Sequence, residues 1–323
     1  MGIGLKKFSF NCIETLAFVK LLLCNLHLLP SIKSSKDAQN KELFIIANAP
    51  SLQQDIKGFE GFLAQKDVLM LNNSILQPIF QTLKPKYYVL MDSAYFVGNA
   101  YQVVSNRSFA FQRELFEKTL RALRHTNQTL TLFVPSIWRD RLKIDNPNIT
   151  LQTYGVFKFE GFKWLEKLFF SRAFAVPSHS CVLIPSIICA LRLGYKKVYL
   201  LGCEQSAFKG YEVDCNNALR LEYKHFYKEK DTSYELERTN IADSLYADSE
   251  IFKAYRTINE LFANRIVNCA SVSYIDAFPR VSLEKVLGGG GNRDLIFLLP
   301  FLQIYFLLLY FSTKLYRFRK ESL

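Results

Sequence analysis

Between residues 41 and 287, short apolar runs alternate with segments of helical spacing. The runs are LFIIA (43–47), VLMLN (68–72), YYVLMD (87–92), LTLFV (130–134), KVYLLG (197–202) and RIVNCA (265–270). They are apolar throughout and do not alternate with polar residues, as expected of strands covered on both faces. Helices are predicted near 53–65, 160–170 and 181–193, over 246–264, and over 111–125. In the last of these Phe111, Leu115, Phe116, Leu120 and Leu123 recur at helical intervals. Repeated β-α units with such strands predict an α/β fold: a Rossmann-like, doubly wound, mainly parallel sheet in a single domain over 41–287. No internal repeat interrupts it, and 203–245 reads as an insertion.

The ends have a different pattern. Residues 8–30 are apolar but broken by Asn11, Glu14, Lys20, Asn25 and His27. This predicts an amphipathic helix within 1–40, packed on the protein's own core or on a membrane. It does not fit a signal peptide, which needs an unbroken apolar region and a small-residue cleavage site. Residues 295–313 carry no charge over nineteen positions. The linker Gly288–Gly291 precedes them, and Lys314, Arg317, Arg319 and Lys320 follow. The length is near the minimum for a bilayer span. With Pro300 and Gln303 inside the run, a surface-lying anchor on the cytoplasmic face of the inner membrane is the preferred expectation, ahead of a span or a buried core helix.

Composition supports this division. The 323 residues are 50% hydrophobic and 15% aromatic, enough for a large core. The net charge is +12. Residues 1–40 hold five Lys against Glu14 and Asp37, and residues 288–323 hold five basic residues against Asp294 and Glu321. Basic ends beside apolar stretches favour an anionic membrane surface as partner and argue against nucleic acid, for which no zinc-finger or RNA-binding signature is present. Seven cysteines with no C-x-x-C spacing fit a reducing compartment. Nothing in the pattern excludes a homo-oligomer.

Candidate chemistry gathers where the predicted strands end. The first run empties into Asn48-Ala49-Pro50-Ser51, the second into Asn72-Asn73-Ser74 and the third into Asp92-Ser93. KVYLLG continues as Cys203-Glu204-Gln205-Ser206. Ligands of parallel sheets bind at such carboxyl ends, so these polar tips are expected to form one rim. Asn48 offers a donor and an acceptor, and Pro50 presets a helix start. Ser51 can cap that helix or meet a phosphate at its N-terminus. Ser74, Ser93 and Asp92 have ordinary capping roles open to them as well. Neither G-x-G-x-x-G nor a P-loop is present, which excludes the usual dinucleotide and NTPase sites. Asp92, Glu204 and Asp214 are the carboxylates that could meet around one Mg²⁺.

FIIANAPSL (44–52) resembles the GNGPSL or GxGPSL opening of a bacterial superfamily. That superfamily contains sialyltransferases and proteins similar to 6-hydroxymethylpterin diphosphokinase, many tied to surface-polysaccharide synthesis. The likeness continues in SHSCVLIPSIICALRLGYKKVYLLGCEQS (178–206), in HFY (225–227) and in VNCASVSYIDAFPRVSLEKVL (267–287), together about 240 residues. The resemblance implies a membrane-associated glycosyltransferase that moves a sugar from a nucleotide sugar, of the CMP-sialic acid type, to a glycan acceptor without a required cofactor. Asn48, Ser51, Asn72, Asn73, Asp92, Ser178, Ser180, Glu204 and Gln205 would bind the donor. His225 would be the base and Tyr227, or Tyr223, would donate to the departing phosphate. The alternatives are a Mg-dependent diphosphate-transferring enzyme and a catalytically degenerate binding or scaffold protein at the membrane. Ala47 and Ala49 stand where the family has glycines. Glu204-Gln205 stands where relatives often read Asp-His, so the chemistry at that strand end is altered or lost.

Overall fold

The computed structural model describes residues 2–97, 107–222, 233–235 and 240–287. His225, Tyr227 and the 295–313 segment lie outside them. One compact unit covers residues 1–281, and 282–323 forms a second, of which the short helix α10 (Leu283–Leu287) is described.

In chain order the elements are α1 (Gly2–Cys24), β1 (Glu42–Ile46), α2 (Leu52–Ile56), α3 (Glu60–Leu63), β2 (Asp67–Leu71), α4 (Pro78–Leu83), β3 (Tyr87–Val89), α5 (Ala94–Val97), α6 (Arg107–His125), β4 (Leu130–Pro135), β5 (Ile149–Tyr154), α7 (Lys163–Ser171), α8 (Leu183–Leu193), β6 (Lys197–Leu201), β7 (Tyr211–Val213), β8 (Leu219–Glu222), β9 (Ser233–Glu235), α9 (Ile241–Leu261) and β10 (Ile266–Asn268). Seven strands form one sheet in the order β10-β6-β1-β2-β3-β4-β5, and every pairing in it is parallel. This is the Rossmann-like α/β sheet expected from the unbroken apolar runs.

Successive strand residues point to opposite faces, and both faces are covered. Leu43, Ile45, Leu69 and Leu71 join one cluster with Ile184, Ile187 and Ile188 of α8 and with Tyr255 and Ile258 of α9. On the other face Phe44 stacks on Tyr199 at 4.9 Å and meets the Phe62 ring of α3 edge-on at 6.3 Å. Central strands flanked by aromatic and aliphatic side chains on both sides cannot slip register without exposing a full row of apolar groups.

Three features depart from the expected elements. The helix near 53–65 is two short pieces, because the chain turns at Gly58 with φ +84°. β5 was not expected: it is an edge strand whose first four residues are exposed or half-buried, Leu151 at 39%, and only Thr153 and Tyr154 are buried. Its outer flank is covered by the chain around Ser31, whose N–H donates to the Thr153 carbonyl (3.0 Å) while its hydroxyl accepts the Thr153 N–H (2.8 Å). Within 203–245, β7, β8 and β9 make a small antiparallel sheet.

The N-terminal helix does not have one clean apolar stripe. Phe18 is buried against the rings of Phe159 and Phe169, at 4.8 and 5.0 Å. Leu5, Phe8, Ile13, Leu16 and Leu23 stay exposed beside Lys6, Lys7 and Lys20. Among the described residues no helix is long and apolar enough to cross a membrane.

Candidate functional site

The chain lays β1 to β5 outward in one direction, then returns to place β6 on the other side of β1. The reversal leaves a crevice above the carboxyl ends of β1 and β6, the place where sheets of this kind bind ligands. A cavity of about 140 Å³ opens there, lined by residues 47–50, Leu71 and Asn72, residues 181–183 and residues 202–206. Four sequence-distant segments thus converge on one point.

Backbone hydrogen bonds set its shape. β1 and β6 stay tied beyond their last paired residues: the Ala47 N–H donates to the Leu201 carbonyl and the Ala49 N–H to the Gly202 carbonyl, both at 2.9 Å. Gly202 has φ +62°, and a Cβ there would stand 2.9 Å from the Ala47 carbonyl oxygen. A side chain would push the two strand ends apart. Asn72 (φ 49°) and Gln205 (φ 54°) also hold the left-handed conformation. Three such residues around one cavity mark a backbone shaped by tertiary contacts rather than by local preference.

The lining polar groups are held in different ways. Asn48 Nδ2 donates to the Leu71 carbonyl at 3.4 Å. Glu204 Oε1 accepts the Ser51 N–H at 2.8 Å and Oε2 accepts the Ser206 hydroxyl at 3.3 Å. Gln205 Oε1 accepts from the Tyr255 hydroxyl (3.1 Å) and the Cys181 thiol (3.5 Å). Burial pushes the Cys181 thiol above its ordinary range, against the pull of its hydrogen bonds, so it stays protonated and a poor nucleophile. The Asn72 carbonyl accepts the Tyr88 hydroxyl, which pins the turn after β2. The Asn72 side-chain oxygen, however, is shut off from solvent with no hydrogen-bond partner.

Behind the cavity, the loop after β10 holds the Glu204 segment. The Ser273 hydroxyl donates to the Cys203 carbonyl (2.7 Å) and the Tyr274 N–H to the Glu204 carbonyl (2.8 Å). Buried Asn268 shapes that loop: its Oδ1 accepts the Ala270 N–H at 3.1 Å, and its Nδ2 donates to Ser273 Oγ at 2.9 Å. Arg280 Nη2 clamps the same loop through the Ala270 and Ser271 carbonyls, at 2.7 and 2.8 Å. Asn268 and Arg280 lie within the 267–287 motif, which by sequence carried a resemblance but no role.

Of the residues proposed for the donor, Asn48, Asn72, Glu204 and Gln205 come together here. The others do not line the cavity. Asn73 is buried, and its Oδ1 accepts from the hydroxyls of Tyr95 (2.5 Å) and Thr119 (2.9 Å), a structural use. Asp92 accepts the Ala94 N–H at 2.9 Å at the start of α5, and burial raises its pKa against that bond. Ser178 is buried and accepts the Ser180 N–H at 3.3 Å, and Ser180 itself is exposed. Ser51 sits beside the lining with its hydroxyl unpartnered, and its N–H is already taken by Glu204. The anion site expected at that helix start is therefore filled by the chain's own carboxylate, and α2 is only five residues long.

Asp92, Glu204 and Asp214 do not meet. Asp214 accepts the Ala218 and Asn216 N–H groups and pairs with Arg220 within the small antiparallel sheet. No group of three His, Cys, Asp or Glu suited to a metal occurs among the described residues. Cys203 and Ser206 line the cavity from the strand end already expected at the rim, though neither had been given a role, and Cys181 lines it without having been singled out. For Cys181 the polar loop 177–180 opening a predicted helix was the available signal.

No family model matches the chain, and no curated protein matches it. A search of solved structures finds a likeness to the MAf glycosyltransferase from Magnetospirillum magneticum AMB-1. The identity is 11% and the TM-score 0.41, with 79% of this chain and 35% of that one covered. This chain thus spans about a third of the length of that structure.

Proposed function

We propose that the chain is a glycosyltransferase of surface-glycan synthesis that binds a nucleotide sugar, of the CMP-sialic acid type, in the cavity above β1 and β6. The observation that carries this reading is the convergence of Asn48, Asn72, Glu204 and Gln205 at the switch point of a parallel sheet. The motif order from FIIANAPSL to the 267–287 segment supports it. In the reaction the acceptor hydroxyl attacks the anomeric carbon, the bond from that carbon to the nucleotide phosphate breaks, and the hydroxyl proton passes to a base. His225 takes that proton, a task an imidazole suits near neutral pH. Tyr227 donates to the leaving phosphate. The enzyme works at the cytoplasmic face of the inner membrane, held there by 295–313.

Thermal melting of the full chain with CMP, UDP and GDP tests the reading. A ligand at a hundred times its Kd adds about 2.7 kcal/mol to stability and a clear rise in Tm. No shift with any of the three would sink the proposal. Given a productive donor, His225→Ala should lower kcat by roughly 10²–10⁴-fold while leaving donor binding in place.

A further inference from the structure

The N-terminal helix is built inside out. The positions of α1 that face the protein recur at intervals of three and four from Asn11 to Asn25, just past its end, and all are half-buried or buried. Asn11, Glu14, Thr15 and Asn25 share that stripe with Phe18, Leu21 and Leu22. Two of the polar side chains turn back on the helix itself. The Thr15 hydroxyl donates to the Asn11 carbonyl (2.7 Å), and Asn25 Nδ2 donates to the Leu21 carbonyl (2.8 Å). The outward side is the more apolar one: Leu5, Phe8, Ile13, Leu16 and Leu23 are 57–71% exposed. Leu5, Leu16 and Leu23 follow one line down the helix, because their spacings are close to whole turns of about 3.6 residues. A surface helix bathed only by water puts its polar side outward, and α1 does the reverse. Of the eighteen large apolar side chains exposed among the described residues, nine fall between Leu5 and Leu29. Scattered apolar side chains are ordinary, but a contiguous group marks a surface that something covers.

The charges on this side select the cover. Lys6, Ile13 and Lys20 follow a second line beside the leucines, and Lys6, Lys7 and Lys20 are all exposed. Glu14, the one acid of the helix, lies on the protein-facing stripe. A second copy of the chain laid on this face would set lysine against lysine. An uncharged segment such as 295–313 would leave the lysines without counter-charge. An anionic lipid surface answers both needs. The leucines sink below the headgroups, while the lysine stems run beside them and lift their ammonium groups to the phosphates. The apolar exposure continues onto α7, which meets α1 where the Phe8 ring lies 5.7 Å from Phe162. There Trp164 is 67% and Leu168 42% exposed, beside exposed Lys167. An indole open to solvent suits a membrane interface, where its ring is half immersed. We propose that α1 lies flat on an anionic bilayer surface, with Leu5, Leu16 and Leu23 inserted and Lys6 and Lys20 on the lipid phosphates. This contact is separate from 295–313, and it does not rest on the transferase reading.

The experiment follows alkylation of the full chain carrying Leu16→Cys by iodoacetamide, read cysteine by cysteine with tandem mass spectrometry. Leu16 is 71% exposed, so the change leaves the packing alone. Cys215, exposed between β7 and β8, is the internal control. The probes are vesicles of phosphatidylcholine alone and of an equal mixture of phosphatidylcholine and phosphatidylserine, and sedimentation measures how much chain is bound. On the mixed vesicles the thiol at position 16 should react about tenfold or more slowly than in solution, since apolar surroundings raise a thiol's pKa and each unit removes about nine-tenths of the thiolate. Cys215 should keep its rate. Phosphatidylcholine alone should protect position 16 little. Adding Lys6→Gln and Lys20→Gln should restore fast reaction at a lipid concentration that protects the parent, because each lysine near an anionic surface is worth about fivefold in affinity. A bound chain whose position 16 reacts as fast as in solution overturns the proposal, and so does a chain that binds neither kind of vesicle. Equal protection on both kinds overturns the assignment of the lysines to anionic lipid. Slow reaction without vesicles also overturns the proposal: if it depends on protein concentration a second copy covers the face, and if it does not the chain's own residues do.

Discussion

Replacing Gly202 with alanine should loosen the cavity at its hinge. Gly202 holds φ +62°, a conformation that costs an L-residue about 1–2 kcal/mol. The added Cβ would stand 2.9 Å from the Ala47 carbonyl oxygen and 3.0 Å from Cβ and Cδ1 of Leu52. The Ala47 carbonyl cannot swing away, because the Ala47 N–H is bonded to Leu201 and the Ala49 N–H to Gly202, each at 2.9 Å. Forcing a methyl group into packed surroundings costs about 1–3 kcal/mol. Restricting the unfolded chain returns about 0.4–1 kcal/mol. The net loss is about 1–4.5 kcal/mol, and at the midpoint of about 3 kcal/mol it lowers Tm by roughly 6–12 °C for a domain of this size. Gly58→Ala is the control: φ is +84°, but nothing lies within 4 Å of the added Cβ, so only strain of about 1 kcal/mol remains. Calorimetric melts of the two variants beside the parent measure the difference. Equal shifts for Gly202→Ala and Gly58→Ala would refute the close approach of β1 and β6 on which the cavity depends.

Asn73→Ala should cost about 1–3 kcal/mol by removing the acceptor of the buried Thr119 hydroxyl. It should leave ligand affinity unchanged, a contrast with neighbouring Asn72 that denaturation and titration together reveal. Stability should fall as pH rises above about 8.5. Burial raises the thiols of Cys181, Cys189, Cys203 and Cys269 and the hydroxyls of Tyr154, Tyr195 and Tyr199, so the unfolded chain releases protons first and alkali favours it. A denaturation midpoint that rises between pH 7.5 and 9.5 would contradict this. Under native conditions iodoacetamide should label exposed Cys24 and Cys215 quickly and spare Cys189, Cys203 and Cys269 until the chain unfolds, as mass spectrometry can follow.

The central sheet was legible because its strands are buried on both faces and so read as uninterrupted apolar runs. β5 was not, since an edge strand with Leu151 half open to solvent has the mixed composition of a loop. The break at Gly58 left only a single glycine as its signal. The cavity's outline was readable from the strand ends, because topology alone carries β1, β2 and β6 to one rim. Which polar tip faces the rim was not readable. Asn72 and Asn73 are adjacent amides, yet the left-handed turn at Asn72 leaves one at the cavity and sends the other to Thr119. Asp92 ends its strand as Glu204 does, but β3 lies two strands from β1 and its carboxylate turns to the Ala94 amide. The partnership of Glu204 with the Ser51 amide spans 153 residues. Such a contact appears only once the sheet order is known, and it converts an expected phosphate site into an acceptor surface.

The most direct measurement is a crystal structure of the full chain soaked with CMP, UDP and GDP and their sugar derivatives. Ligand density in contact with Asn48, Asn72 and Glu204 above the ends of β1 and β6 is the expected result. A ligand bound elsewhere on the molecule, with this cavity left to water, would contradict it.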